Sequence, residues 1–150
     1  VRFEQRLAEL CVDSGVMEFP RRNSDRHILW KSILVGVDPV AQYSEKEIDE
    51  HILHWLTTIG RTISRDHVNI RRQLIDEGYP TRTPDCSVYR YAVTGPGHKR
   101  FDAGVENVDC KAVIRKRLLM RTHKRREFLK RRFRQKTQAS TEKGEEGCTP

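Results

Sequence analysis

Apolar residues recur at helical spacing in five stretches of the chain and alternate in one. Phe3, Leu7, Leu10 and Cys11 predict a short amphipathic helix over 1–14, with Gly15 placed to stop it. Pro20 then disfavours helix, and Ser24 stands where it can cap the next one. Ile28, Leu29, Ser32, Ile33 and Val35 line that second helix, with Trp30 on its flank, until Gly36 and the Asp38-Pro39 step end it. In YSEKEIDEHILHWL, Ser44 and Glu47 form a capping box, in which the hydroxyl accepts an orphan backbone N–H and the carboxylate reaches back. Glu45, Glu47, Asp49 and Glu50 suit the positive end of the helix dipole. Ile48, Ile52, Leu53, Trp55, Leu56 and Ile59 supply the buried face of this third helix, and Gly60 its stop. A fourth helix runs from Arg65 or Asp66 to Glu77, with Val68, Ile70, Leu74 and Ile75 apolar and Gly78 behind it.

The stretch YPTRTPDCSVYRY has strand character at Val88, Tyr89 and Tyr91 and a turn at Pro84-Asp85, which predicts a β-hairpin. Three helices followed by a hairpin is the order of a winged helix, a helix-turn-helix variant. Val93 to Asn107 carries three Gly and a Pro and is expected to be a loop. From Lys111 to Lys136 one helix is expected, with Ile114, Leu118, Phe128, Leu129 and Phe133 on a broad stripe that Arg121 and Arg125 interrupt. The expected fold is therefore mainly α with a small β-hairpin. It comprises an N-terminal helical extension (1–18), a winged-helix-like domain (19–92), a linker (93–110), a long basic C-terminal helix (111–136) and a disordered tail (137–150).

Charge changes this picture more than size does. The 150 residues are 36% hydrophobic and 33% charged, so only part of the length can bury a core. The net charge of +8 is unevenly spread. Val1 to Cys110 holds 15 Lys and Arg against 17 Asp and Glu, whereas Lys111 to Lys136 holds 13 against one. The whole basic excess thus sits in one segment, the footprint of an anionic partner: phosphates, an acidic protein face or an anionic membrane surface. Without a cleaner apolar face a membrane is not the expected partner. Cys11, Cys86, Cys110 and Cys148 are scattered with no CxxC pair, and no secretory signal or membrane span stands out. Free thiols in a reducing cytoplasm are the expectation.

From FPRRNSDR through YSEKEID to DHVNIRRQLIDEGYPTR and SVYRY, the order and spacing resemble a bacterial family known as domain of unknown function 2087. That family occurs alone or fused to ArsR-type helix-turn-helix regulators. The resemblance implies a winged-helix-like fold and, by association, transcriptional regulation. Two features depart from it. The hairpin tip holds Asp85-Cys86 where Asp-Gly is expected, and the stretch HILHWLTTIGRTISRDH is longer than the usual connection.

In a winged helix the second helix of the motif meets the major groove. Here it carries Arg65, His67, Asn69, Arg71, Arg72 and Gln73, types suited to guanine and adenine edges. The competing reading is a solvated face with Arg71 and Arg72 paired to local acids such as Asp76 and Glu77. Arg82 and Arg90 on the hairpin are placed to reach phosphates. The denser signal is Lys111, Arg115, Lys116, Arg117, Arg121, Lys124, Arg125, Arg126, Lys130, Arg131, Arg132, Arg134 and Lys136. Counterion release from that many cations gives salt-sensitive binding without sequence preference. Phe128 and Phe133 are expected to pack against the body, with stacking on unpaired bases as the alternative.

His51 and His54 lie three apart without a third ligand, so neither a metal nor another cofactor is expected. No nucleophile triad and no Gly-rich phosphate loop is present, which argues against an enzyme. The expected partner is nucleic acid, with DNA placed ahead of RNA by the resemblance alone. A protein-interaction module or an RNA- or ribosome-associated protein stands as the alternative, and the oligomeric state is open.

Overall fold

The computed structural model describes residues 2–92 and 101–145. Residues 93–100, from the expected linker, and 146–150, from the expected tail, lie outside them. The chain forms two compact units, Val1–Ile114 and Arg115–Pro150.

The first unit opens with α1 (Arg2–Ala8), which continues as one π-helical turn over Glu9–Asp13 and stops at Gly15, whose φ is +56°. Phe3, Leu7, Leu10, Cys11 and Val12 are all buried, so this segment belongs to the core of the unit. Arg6 clamps it to the next helix through two 2.9 Å bonds to the Asp25 carboxylate. α2 (Asn23–Leu34) starts two residues earlier than a cap at Ser24 would place it. Its N-cap is Arg22, with no side-chain cap bond, so Ser24 falls inside the first turn and cannot cap it.

α3 (Glu45–Thr58) has the expected capping box: Ser44 Oγ accepts from Glu47 N at 3.2 Å, and Ser44 N donates to Glu47 Oε2 at 2.7 Å. The backbone and hydroxyl donors of Ser44 hold the Glu47 carboxyl below its ordinary pKa. Ile48, Ile52, Trp55 and Ile59 face inward at 4-3-4 spacing, which leaves Leu53, expected in the core, one step round and exposed. Phe19 stacks on Trp30 at 4.0 Å between centroids, and Trp55 donates to Ser32 Oγ at 2.9 Å. A Cβ on Gly60 would meet the buried Trp55 ring at 2.3 Å, so this glycine is required by close approach.

α4 (His67–Asp76) is capped by Asp66, whose carboxylate accepts from Asn69 N at 2.8 Å. The long connection before it reaches the segment that follows α1. Thr62 Oγ1 donates to Val16 O at 2.8 Å, and Ser64 N to Met17 O at 2.7 Å. The extra residues therefore join the N-terminal segment to the motif.

β1 (Pro80–Arg82) and β2 (Tyr89–Tyr91) pair antiparallel, with Thr81 opposite Arg90. Tyr43, just ahead of α3, bridges to Tyr89 through bonds of 2.9 and 2.8 Å, adding a third strand position that periodicity did not reveal. Helix, bridge, two helices and a hairpin make the unit winged-helix-like, as expected. Part of the stretch expected as loop is instead a 3-10 helix, Ala103–Asn107, with Val105 buried.

α5 (Cys110–Glu145) begins at Asp109, whose carboxylate accepts from Ala112 N at 3.0 Å. It runs past Lys136 through 137–145, the greater part of the segment expected to be disordered. Neither Gly nor Pro interrupts it before Gly144, and Thr137, Ser140 and Thr141 donate their hydroxyls to carbonyls four residues back within the helix. Among the described residues no helix is long and apolar enough to cross a membrane.

Candidate nucleic-acid interface

The two cationic surfaces expected from the sequence have different fates. On α4, Arg71 is 8% exposed and turns back onto α3. One nitrogen pairs with the Asp49 carboxylate and the other with Glu45 Oε1 at 2.9 Å. Burial opposes its charge, but the hydrogen bond and field of Asp49, joined by Glu45, outweigh it and raise its pKa. Tyr89 extends the network by donating to Glu45 Oε2 at 3.1 Å. Arg71 thus holds α4, α3 and the hairpin together and is not available to a base edge. Its partners are Asp49 and Glu45, a turn apart on α3, and not the neighbouring Asp76 and Glu77.

Other members of the α4 set are also engaged. Arg65 is exposed with Glu18 3.5 Å away, and His67 Nε2 lies 3.8 Å from Asp49 Oδ2. Asn69 is exposed, but its side-chain amide is bound to Asp66 at 2.8 Å. Arg72 is exposed and Gln73 half-buried, with the acidic Asp76 exposed on the same helix. On the hairpin Arg82 and Arg90 are exposed, and Arg82 hydrogen-bonds the Tyr89 hydroxyl. At the tip, Thr83 and Ser87 donate to Asp85 and lower its pKa, so the turn presents a carboxylate. A fixed negative charge at the wing tip opposes close approach of phosphate.

α5 is different in kind. Lys111, Arg115, Lys116, Arg121, Lys124, Arg125, Arg126, Lys130, Arg131, Arg132, Arg134 and Lys136 are all exposed, and Arg117 is half-buried. The acid within this stretch, Glu127, pairs with Lys130 at 3.3 Å. Ile114 is buried and Leu118 half-buried, whereas Phe128, Leu129 and Phe133 are exposed, Phe133 at 74%. The phenylalanines expected to be packed are therefore on the surface, with Arg132 5.8 Å from the centre of the Phe128 ring. Their exposure follows from the wheel: Phe128 and Phe133 are five residues apart and point to different sides of the helix.

A cleft of about 330 Å³ in the first unit is lined by Ile33, His54, Trp55, Thr58, Val108 and Lys111 among others. His51 on its edge gives Nε2 to the Ile33 carbonyl, which makes it a tie between α3 and α2. Burial, with Cys110 nearby, pushes the Cys11 thiol up to about 12; burial and Asp109 push Cys110 up to about 11. Both stay protonated, a poor state for a ligand. Among the described residues no group of three His, Cys, Asp or Glu is disposed around a metal position.

One family model matches residues 16–91: an uncharacterised protein conserved in bacteria, DUF2087. No curated protein and no solved structure matches the chain.

Proposed function

We propose, for a chain that belongs to the DUF2087 family, that it is a nucleic-acid-binding protein, a DNA-binding transcriptional regulator whose affinity comes from α5. The observation that carries this reading is the exposure of the α5 cations, with one acid among them. Such a helix attracts polyphosphate by Coulomb force and by counterion release. On α4, Arg72 and Gln73 remain for base edges, a smaller set than the sequence offered, because the Asn69 amide is held by Asp66. The winged-helix-like unit accordingly aligns the protein on the duplex, and base selection is the lesser part of the binding. The chemistry is binding and not catalysis.

The test is a salt series of dissociation constants for labelled duplex DNA. If about six to eight phosphates are neutralised, log K falls with log salt at a slope of about −5 to −7. Arg131→Gln with Arg132→Gln reduces that slope by about 2, whereas Asn69→Ala with Arg72→Ala changes it by about 1 at most. A flat salt dependence, or no binding at low salt, overturns the reading.

A further inference from the structure

Cations on α5 are arranged around the helix and not along one side of it. At about 100° per residue, the twelve Lys and Arg side chains from Arg115 to Lys136 leave no sector wider than about 60° without a cation. Two gaps reach that width: one holds Thr122 and Leu129, the other Met120 and Glu127. Lys116, Lys130 and Arg134 share one stripe, and Arg125, Arg132 and Lys136 share another roughly 190° away. All six are exposed.

This distribution selects the shape of the partner. A helix lying on a membrane needs an apolar face about 100° wide or more, which a 60° gap cannot supply. On any flat anionic surface, one side of the helix meets the charge. The far side stands about 10 Å away, near the screening length at physiological salt, and adds little. Charge on every side is useful where phosphate stands on both sides. The major groove of B-form DNA is about 12 Å wide, close to the 10–12 Å diameter of a helix with its side chains, and phosphates line both walls. In A-form RNA the major groove is deep and narrow and does not admit a helix of this size.

We infer that α5, from Arg115 to Lys136, seats in the major groove of duplex DNA with cations engaging both phosphate walls. The inference rests on the reading of α5 as a nucleic-acid-binding element and adds the form of nucleic acid and the pose. The stretch is about 33 Å long at 1.5 Å per residue. A straight helix leaves a curving groove, so only part of its cations reach phosphate at once.

Two triple variants of the full chain test it: Lys116→Gln/Lys130→Gln/Arg134→Gln, and Arg125→Gln/Arg132→Gln/Lys136→Gln. Glutamine is close to Lys and Arg in helix propensity, and circular dichroism checks that helix content is kept. Binding is measured by anisotropy with a 20-bp DNA duplex and with the RNA duplex of the same sequence. In the groove both variants lose affinity for DNA by about tenfold or more at 0.1 M salt, to within about threefold of each other. The unsubstituted chain prefers DNA to RNA. The inference is overturned if one variant loses affinity while the other matches the parent, or if duplex RNA binds as tightly as DNA. In either case nucleic-acid binding itself survives. Absence of binding to both duplexes by the unsubstituted chain instead removes the reading on which the inference rests.

Discussion

Cys86 sits at φ +60° at the hairpin tip, in the left-handed region where an L side chain crowds its own carbonyl. Its backbone N–H closes the turn onto Thr83 O at 2.9 Å, so the conformation is set by the turn and the residue conforms to it. A glycine there relieves a cost of about 1–2 kcal/mol, partly offset by the greater freedom it gives the unfolded chain. Cys86→Gly is expected to stabilise the fold by up to about 1 kcal/mol, read as a rise in the urea midpoint at unchanged m-value. A fall in that midpoint would mean that the Cys86 side chain, half-buried, contributes more than the backbone costs. The position was marked in the sequence as Asp-Cys in place of Asp-Gly, and that mismatch was a sound pointer to strain. Arg71 was not legible in the same way. Its sequence neighbours suggested an exposed residue, and only the approach of α3 to α4 brings Asp49 and Glu45 under it.

The joints between elements carry the next consequence. α3 and α4 meet through packing of Ile48, Ile52, Ile70 and Leu74, all buried, and through the Arg71 pair with Asp49 and Glu45. Arg71→Met fills the volume but leaves the mostly buried Asp49 with only the longer His67 contact at 3.8 Å. The expected loss is on the order of 2–3 kcal/mol, less than for a fully buried pair because water still reaches Glu45. Thermal unfolding measures it. DNA affinity taken well below the transition should stay at the parent value, because Arg71 faces inward. A weakened complex from a variant that is still folded would return Arg71 to the interface. Elements themselves were largely readable where one signal sufficed: the Ser44–Glu47 box began α3, Gly15 ended the first helix, and Gly60 followed the third. What stayed hidden depended on partners distant in sequence. Tyr43 becomes a strand position only because Tyr89 lies beside it, and the residues after Ile59 look like an overlong loop until Val16 and Met17 accept their hydrogen bonds. The end of α5 was not legible because composition argued for disorder, while the helix runs on to Glu145 with the Thr137, Ser140 and Thr141 hydroxyls bonded to its own carbonyls.

At the scale of the whole molecule, charge is divided between a near-neutral body and a cationic helix, and the division has a cost for the helix. Along α5, Arg117 and Arg121, Arg121 and Arg125, Arg126 and Lys130, and Lys130 and Arg134 are each four residues apart. Like charges at that spacing destabilise a helix by about 0.2–0.5 kcal/mol per pair, and Glu127, paired with Lys130, offsets part of this repulsion. Salt screens this repulsion, since the Debye length shrinks from about 30 Å at 0.01 M to about 8 Å at 0.15 M. Helix content of the full chain should therefore rise as sodium chloride is raised over that range, read as deeper ellipticity at 222 nm. Affinity for DNA falls over the same range, because the same ions compete for the phosphates. The two responses have opposite signs and one origin: phosphate walls take the place of the screening ions and bind the helix as they quiet its self-repulsion. Helicity that is flat or falling with salt would show that backbone propensity alone sustains α5. The binding free energy would then contain no gain from relieved repulsion.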